Sequence, residues 1–239
     1  MYKNIVFDVY GTLIDIRTDE YDVATWQKMA DALAFYDVNY TAEELKRAYF
    51  DGCDLQMKLN AKCDNPEIDV VDVFRHIFEA KGKKASKTLA THLAQVFRAF
   101  STRKLRLYDN VTETLTQLKK SKKKLYVLSN AQRCFTRPEL VKLGLAKYFN
   151  GIIYSSDYLC AKPSAELFNV LFDKYKLDRK ETVYVGNDPL TDVNGAHGAE
   201  IDCMWIKTNL TDPDAKPILD PKYVVTNGDF AEVAKLTLK

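Results

Sequence analysis

The sequence predicts an α/β fold: a Rossmann-like parallel-sheet core of three α/β/α layers, with an α-helical domain inserted into it. Three observations carry that prediction. After about Leu105, short apolar runs alternate with helical patterns, which indicates βα units joined in a parallel sheet. An isolated apolar run at the N-terminus, Lys3 to Asp8, most simply joins the same sheet. Between about Ile16 and Phe100 there is no strand pattern, and the apolar residues recur at helical spacing.

The elements follow in order. Ile5, Val6 and Phe7 make a buried strand, closed by a Gly-Thr turn. Thr41-Ala-Glu-Glu44 is a capping box, in which hydroxyl and carboxylate each satisfy a free backbone N–H. Val71, Phe74, Ile77 and Phe78 share one helix face, as do Leu89, Leu93, Val96, Phe97 and Phe100. Cys63-Asp-Asn-Pro-Glu67 breaks the helices. A helix over Val111 to Lys120 then precedes a strand at Lys124 to Ser129, and a helix over Pro138 to Leu143 precedes Gly151 to Tyr154. Pro163 to Tyr175 reads as a helix burying Leu167, Phe168, Leu171 and Phe172, ahead of the strand Thr182 to Gly186. Another helix after Asp192 leads to strands at Asp202 to Lys207 and Lys222 to Val225. The expected division is a core of residues 1–14 and 105–239 and a helical insert of residues 15–104.

Composition narrows the class. The 239 residues are 46% hydrophobic and 28% charged, ordinary for a soluble globular protein. Lys plus Arg is 35 and Asp plus Glu is 33, a net charge of +2 that gives no global pull toward nucleic acid or anionic membrane. Neither a signal-peptide run nor a membrane span is found. The basic run Lys119 to Lys124 falls where a helix ends, and reads as a solvated C-terminus favourable to the helix dipole. Five scattered cysteines without a CxxC pair suggest free thiols in a cytoplasmic protein. His76, His92 and His197 are not at ligand spacing, and Gly195-Ala196 reads as a close helix–sheet contact. The chain is expected to act on a small molecule, as monomer or homodimer, with no nucleic-acid or membrane partner.

In open α/β sheets ligands bind at the carboxyl ends of the strands. Those ends carry Asp8-Val-Tyr-Gly-Thr12, Ser129-Asn130, Lys162-Pro163 after a loop, and Gly186-Asn-Asp-Pro-Leu-Thr-Asp192. Taken singly each has a plainer reading, as turn former, surface lysine or helix cap. Together they suit one chemistry. A strand-end carboxylate becomes a nucleophile when its charge is neutralised. A hard cation held by Asp8 and the Asp188/Asp192 pair would do so, with Lys162 balancing the remaining charge and Ser129 holding phosphoryl oxygens.

FDVYGTL, LSN, KP followed by Phe168, and YVGNDPLTDVNGA resemble the four motifs of the haloacid dehalogenase superfamily, along the whole chain. The resemblance implies a helical cap closing over a nucleophilic Asp8. It also implies Ser129 as phosphoryl-oxygen donor, Lys162 as charge balancer, and Asp188 and Asp192 as the acidic motif. The catalytic set is then Asp8, Ser129, Lys162 and Asp192, with Tyr10, Gly11, Thr12 and Asn130 against substrate. In the phosphatase branch, magnesium would be held by Asp8, the Tyr10 carbonyl and Asp188.

One departure bears on the branch. Phosphatases of this family carry a second aspartate, the general acid and base, where this chain has Tyr10. A phenol with a pKa of about 10 is poorly matched to proton transfer near neutrality. Asp-x-Tyr-Gly-Thr resembles the haloacid dehalogenases proper, which work without metal. Yet Gly-Asn187-Asp188 replaces their serine-rich motif, Phe168 replaces their tyrosine, and no halide-binding arginine can be placed. Asp188 adds negative charge opposite Asp8, as if for a cation. The reading is therefore a magnesium-dependent phosphatase acting on a small phosphorylated metabolite. The alternatives are a 2-haloacid dehalogenase and a catalytically weak binding or regulatory relative.

Overall fold

The computed structural model describes residues 2–60 and 62–238. In chain order the elements are β1 (Asn4–Phe7), β2 (Ile14–Thr18), α1 (Val23–Ala34), α2 (Ala42–Leu59), α3 (Val70–Glu79), α4 (Lys87–Ser101) and β3 (Thr102–Leu107). Then come α5 (Val111–Lys120), β4 (Lys124–Ser129), α6 (Arg133–Lys142), β5 (Gly151–Tyr154), α7 (Ala165–Tyr175) and β6 (Thr182–Gly186). The chain closes with α8 (Asn194–Gly198), β7 (Asp202–Ile206), β8 (Tyr223–Val225) and α9 (Ala231–Thr237).

A six-stranded sheet in the order β5-β4-β1-β6-β7-β8 is parallel at every pairing, so the expected α/β architecture is what forms. Successive side chains of a strand point to opposite faces, and both faces are covered. Ile5, Phe7, Leu125, Val127, Val183 and Val185 pack with α5 and α9 through Leu115, Leu118 and Val233, and with Phe230 at the N-cap of α9. Val6, Tyr126, Leu128, Tyr184 and Cys203 pack on the other side with α7 and α8 through Leu167, Phe168, Leu171 and Ala196. Strands buried on both faces read as continuous apolar runs rather than as alternation, which is why the sequence revealed them. Gly195 meets α7 so closely that a Cβ there would lie 2.6 Å from the Phe168 ring.

The helices α1 to α4 surround a separate core centred on Trp26, Tyr49, Phe74 and Phe97, with the Trp26 and Tyr49 ring centroids each 4.9 Å from that of Phe97. The Thr41 capping box forms with both hydrogen bonds, at 2.9 and 3.2 Å. Two strands that the sequence did not reveal, β2 and β3, pair antiparallel as a ribbon and run across both expected boundaries of the insert. Charges interrupt their apolar pattern: Asp15 pairs opposite Arg106 and binds it at 3.0 Å, with Lys104 on the same carboxylate. Helix α4 passes straight into β3, Ser101 to Thr102, with no connecting residue.

Two further expectations are corrected. Helix α6 starts at Arg133 and carries Pro138 in its interior rather than at its start. Proline has no N–H for the carbonyl one turn back; that carbonyl, of Cys134, accepts instead from Gln95 Nε2 of α4 at 3.1 Å. The cysteines are not all free: Cys63 and Cys160, 97 residues apart in sequence, form a disulfide with a Cα–Cα distance of 5.7 Å, while Cys53, Cys134 and Cys203 remain thiols. Separation along the chain concealed the pair. The loop after α2 lies antiparallel to the loop after β5, with Ala161 N–H donating to Asn65 at 2.8 Å and Glu67 N–H to Leu159 at 3.1 Å. Within the basic run, Lys123 is buried and donates to the Tyr2 carbonyl. Among the described residues no helix is long and apolar enough to cross a membrane.

Candidate active site

Strand β1 has β4 and β5 on one side and β6, β7 and β8 on the other, so the strand order reverses at β1. That switch point opens a crevice at the carboxyl ends. Phe7 is in register with Val127 and Val185, and the next residue, Asp8, emerges between the ends of both neighbours with its N–H held by Val185 at 2.9 Å.

The four strand-end motifs meet there. Asp8 Oδ1 accepts from Ser129 Oγ at 2.9 Å and from Lys162 Nζ at 2.7 Å. Lys162 Nζ also donates to Asp192 Oδ1 at 2.6 Å and to the Tyr184 hydroxyl at 2.8 Å. An ammonium has three donors, and all are used. The side chains are 2% exposed for Lys162, 1% for Asp192 and 8% for Asp8. Asp8 Oδ2 has no hydrogen-bond partner among the described residues and is not sealed from water. Burial works against the Lys162 ammonium, but the charges of Asp192 and Asp8 outweigh it and raise its pKa. Burial raises the Asp192 carboxyl against the pull of Lys162, and the charge of Asp8 adds to the rise. One ammonium thus faces two carboxylates, an uncompensated negative charge.

Neighbouring groups set this geometry. Asn130 brackets the backbone of Lys162, accepting from its N–H at 2.7 Å and donating to its carbonyl at 3.1 Å. Both ends of its amide thus help to position the lysine. Gly11 has φ +83°, and a Cβ there would lie 2.5 Å from Asn187 Oδ1; only glycine lets the first and fourth motifs approach. Thr12 is fully buried and donates to Asn187 Oδ1 at 3.3 Å, so it ties the same two loops together. Asp188 caps the turn Pro189–Val193, with Oδ1 accepting from Leu190 and Thr191 N–H at 2.8 and 2.9 Å. Its other oxygen has no partner among the described residues. Asp192 Oδ2 accepts from the Asp188 N–H at 3.0 Å.

The expected three-aspartate cation cluster does not form as such. Among the described residues, the cluster of three ligand atoms within 4.8 Å of one another is Cys63, Cys160 and Glu166, where two sulfurs are spent on each other. Lys162 stands between Asp8 and Asp192 instead. The donors that fit a hard cation are the open oxygens of Asp8 and Asp188 and a backbone carbonyl such as that of Tyr10. Magnesium commonly takes one or two carboxylates and keeps several waters.

Tyr10 turns its phenol away from Asp8. The hydroxyl lies 2.9 Å from Thr136 Oγ1 and donates to the Glu139 carboxylate, both on α6. Burial, then the charge of Glu139, push its pKa far above the ordinary tyrosine value. Arg98 of α4 binds Glu139 at 2.7 Å and lies over the Tyr10 ring, 5.3 Å from its centroid. A crevice of about 330 Å³ opens between the helical insert and the sheet, lined by Tyr10, Glu20, Glu67, Arg98, Asn130 and Gln132 among others.

Sequence reasoning missed Tyr184, Arg98, Glu139 and Glu20. Tyr184 alternates inward on β6 like any core residue, and its hydroxyl reaches Leu128 O at 2.8 Å and Asp192 at 3.0 Å only because the sheet is assembled. Arg98 and Glu139 lie on different helices, with no local signal linking them.

Comparison with known proteins fits this geometry. The haloacid dehalogenase-like hydrolase family matches residues 5–206. A phosphoserine phosphatase of Thermus thermophilus is 30% identical over 149 residues, which cover 62% of this chain and 59% of that protein. The human N-acylneuraminate-9-phosphatase is 24% identical over 94% of this chain and 90% of its own length. Among solved structures, a dehalogenase captured with an intermediate superposes with a TM-score of 0.61 at 18% identity, covering 100% of this chain and 98% of the other. That likeness is one of fold.

Proposed function

Because the chain belongs to the haloacid dehalogenase-like hydrolases, we propose that it is a magnesium-dependent phosphatase acting on a small phosphorylated metabolite through an aspartyl intermediate on Asp8. The observation that carries this reading is the charge balance at the switch point: two buried carboxylates share one lysine, while Asp188 stands nearby with an oxygen to spare. Such an excess of acid suits a site that takes up a cation. The phosphatase relatives support the same branch.

In this reading Asp8 attacks phosphorus and Ser129 and loop N–H groups hold the phosphoryl oxygens. Lys162 fixes the nucleophile, and Asp192 fixes Lys162. Asp8, the Tyr10 carbonyl and Asp188 would hold magnesium, which offsets charge on the phosphoryl group when bound. The helical insert, residues 15–104, serves as a cap over the crevice. The cytoplasmic location read from free thiols loses that ground with the Cys63–Cys160 bridge.

The test is hydrolysis of para-nitrophenyl phosphate with magnesium, against an Asp8→Asn control and after chelation. Activity that disappears in both controls and returns with magnesium is expected. Activity no greater than that of the Asp8→Asn protein overturns the reading.

The second reading, a 2-haloacid dehalogenase, rests on Tyr10. It requires a free cationic donor for halide. Arg98, the arginine of the crevice, has its guanidinium engaged by Glu139. Metal-independent halide release from 2-chloropropionate would favour this reading over the first.

A further inference from the structure

The switch point holds a nucleophile, its counter-charge and its positioning groups, but no evident proton donor for a leaving group. The Tyr10 phenol is bound to α6, and every N–H of Lys162 is in use. Two carboxyls, Glu67 and Glu20, line the crevice that Tyr10 and Asn130 of the strand-end motifs also line. Glu67 is fully engaged: its oxygens accept from Ile68 N–H at 2.8 Å, Gln132 Nε2 at 3.4 Å and Ser155 Oγ at 2.7 Å. Glu139, behind Tyr10, is gripped by Arg98. Glu20, on the segment joining β2 to α1, has no side-chain hydrogen bond among the described residues, although its backbone carbonyl is pinned by Trp26 Nε1 at 2.8 Å.

We propose that Glu20 is the general acid and base of the phosphoryl transfer, filling the role that Tyr10 cannot. This rests on the phosphatase reading. In the first step the Asp8 carboxylate forms a bond to phosphorus, the ester P–O bond breaks, and the leaving oxygen takes the Glu20 proton. In the second, water attacks phosphorus and gives its proton to the Glu20 carboxylate as the Asp8–phosphorus bond breaks. Both groups end as they began, with alcohol and phosphate released.

The surroundings suit that cycle. Arg98 of α4, its charge already met by Glu139, and Tyr49 of α2 line the same crevice, and Cys53 of α2 lies within reach of the Glu20 charge. Burial lifts the Glu20 carboxyl above its ordinary pKa, and Arg98 only partly opposes the rise. A catalytic acid works best with its pKa nearer the operating pH.

The test compares wild type, Glu20→Gln and Glu20→Asp on two kinds of ester in the presence of magnesium. One is the best alkyl phosphate from a metabolite panel; the other is para-nitrophenyl phosphate, whose phenolate departs without a proton. Glu20→Gln is expected to lower kcat/KM on the alkyl ester by about 10²–10⁴-fold, the usual worth of a general acid, and far less on the aryl ester. With the aryl ester it should also accumulate phosphoenzyme in an acid-quench burst, because water is no longer activated. The fall of wild-type kcat/KM at high pH should vanish in Glu20→Gln, and Glu20→Asp should restore part of the alkyl rate. Equal losses on both esters, or an unchanged pH profile, overturn the assignment while the phosphatase reading stands. A wild type that hydrolyses neither ester above the Asp8→Asn control overturns both.

Discussion

Lys162 donates to Asp192 at 2.6 Å, with the two side chains 2% and 1% exposed. Asp192 is tolerable in the interior because of this ammonium, which it shares with Asp8. Lys162→Met therefore leaves Asp192 beside Asp8 with no cation, and removing one member of a buried pair costs roughly 3–5 kcal/mol. The pH dependence has a definite sign. A carboxyl whose folded pKa is raised, as burial raises that of Asp192, contributes stability fully present below about pH 4, the unfolded value. That contribution is lost as pH rises through the folded value. Without Lys162 the rise is larger, so urea unfolding should find the variant's deficit smaller at about pH 5 than at about pH 8.

Arg98 and Glu139 join the helical insert to α6, with side chains 13% and 8% exposed. Arg98→Met is expected to cost about 3–5 kcal/mol by stranding Glu139. The double variant Arg98→Met/Glu139→Gln should recover most of the loss. A double-mutant cycle by chemical denaturation checks this, and additive losses would show that the two residues act independently.

The Cys63–Cys160 bridge closes a 97-residue separation. Loop-closure entropy then gives roughly 4–5 kcal/mol of stabilisation, chiefly by restricting the unfolded chain. Dithiothreitol should lower the urea midpoint of wild type toward that of Cys63→Ser/Cys160→Ser, and should leave the double variant unmoved.

The sheet and the residues gathered at its strand ends were legible because their signals are local. Ile5 to Phe7 is an uninterrupted apolar run, and Asp8, Ser129, Lys162 and Asp192 each stand beside a recognisable strand end or turn. The ribbon was not legible, because Asp15, Arg17, Lys104 and Arg106 are stabilised by one another across strands distant in sequence. Position 10 illustrates the same limit. Its identity shows that an acid is missing, but not that the phenol is occupied by Thr136 and Glu139, more than a hundred residues away. The bonds of the Asn130 amide to the Lys162 backbone are likewise visible only in the folded loop.

The uninterrupted passage of α4 into β3 makes the helix a lever whose fulcrum is the Ser101–Thr102 joint. At about 1.5 Å per residue, Arg98 lies about 6 Å from that joint and Lys87 about 22 Å. The grip of Glu139 is thus applied on the short arm. Turning about the joint, slack of about 1 Å at Arg98 becomes travel of about 3–4 Å at Lys87. Two ties to α6, the Arg98–Glu139 ion pair and the Gln95–Cys134 hydrogen bond, therefore hold the arm close to its pivot.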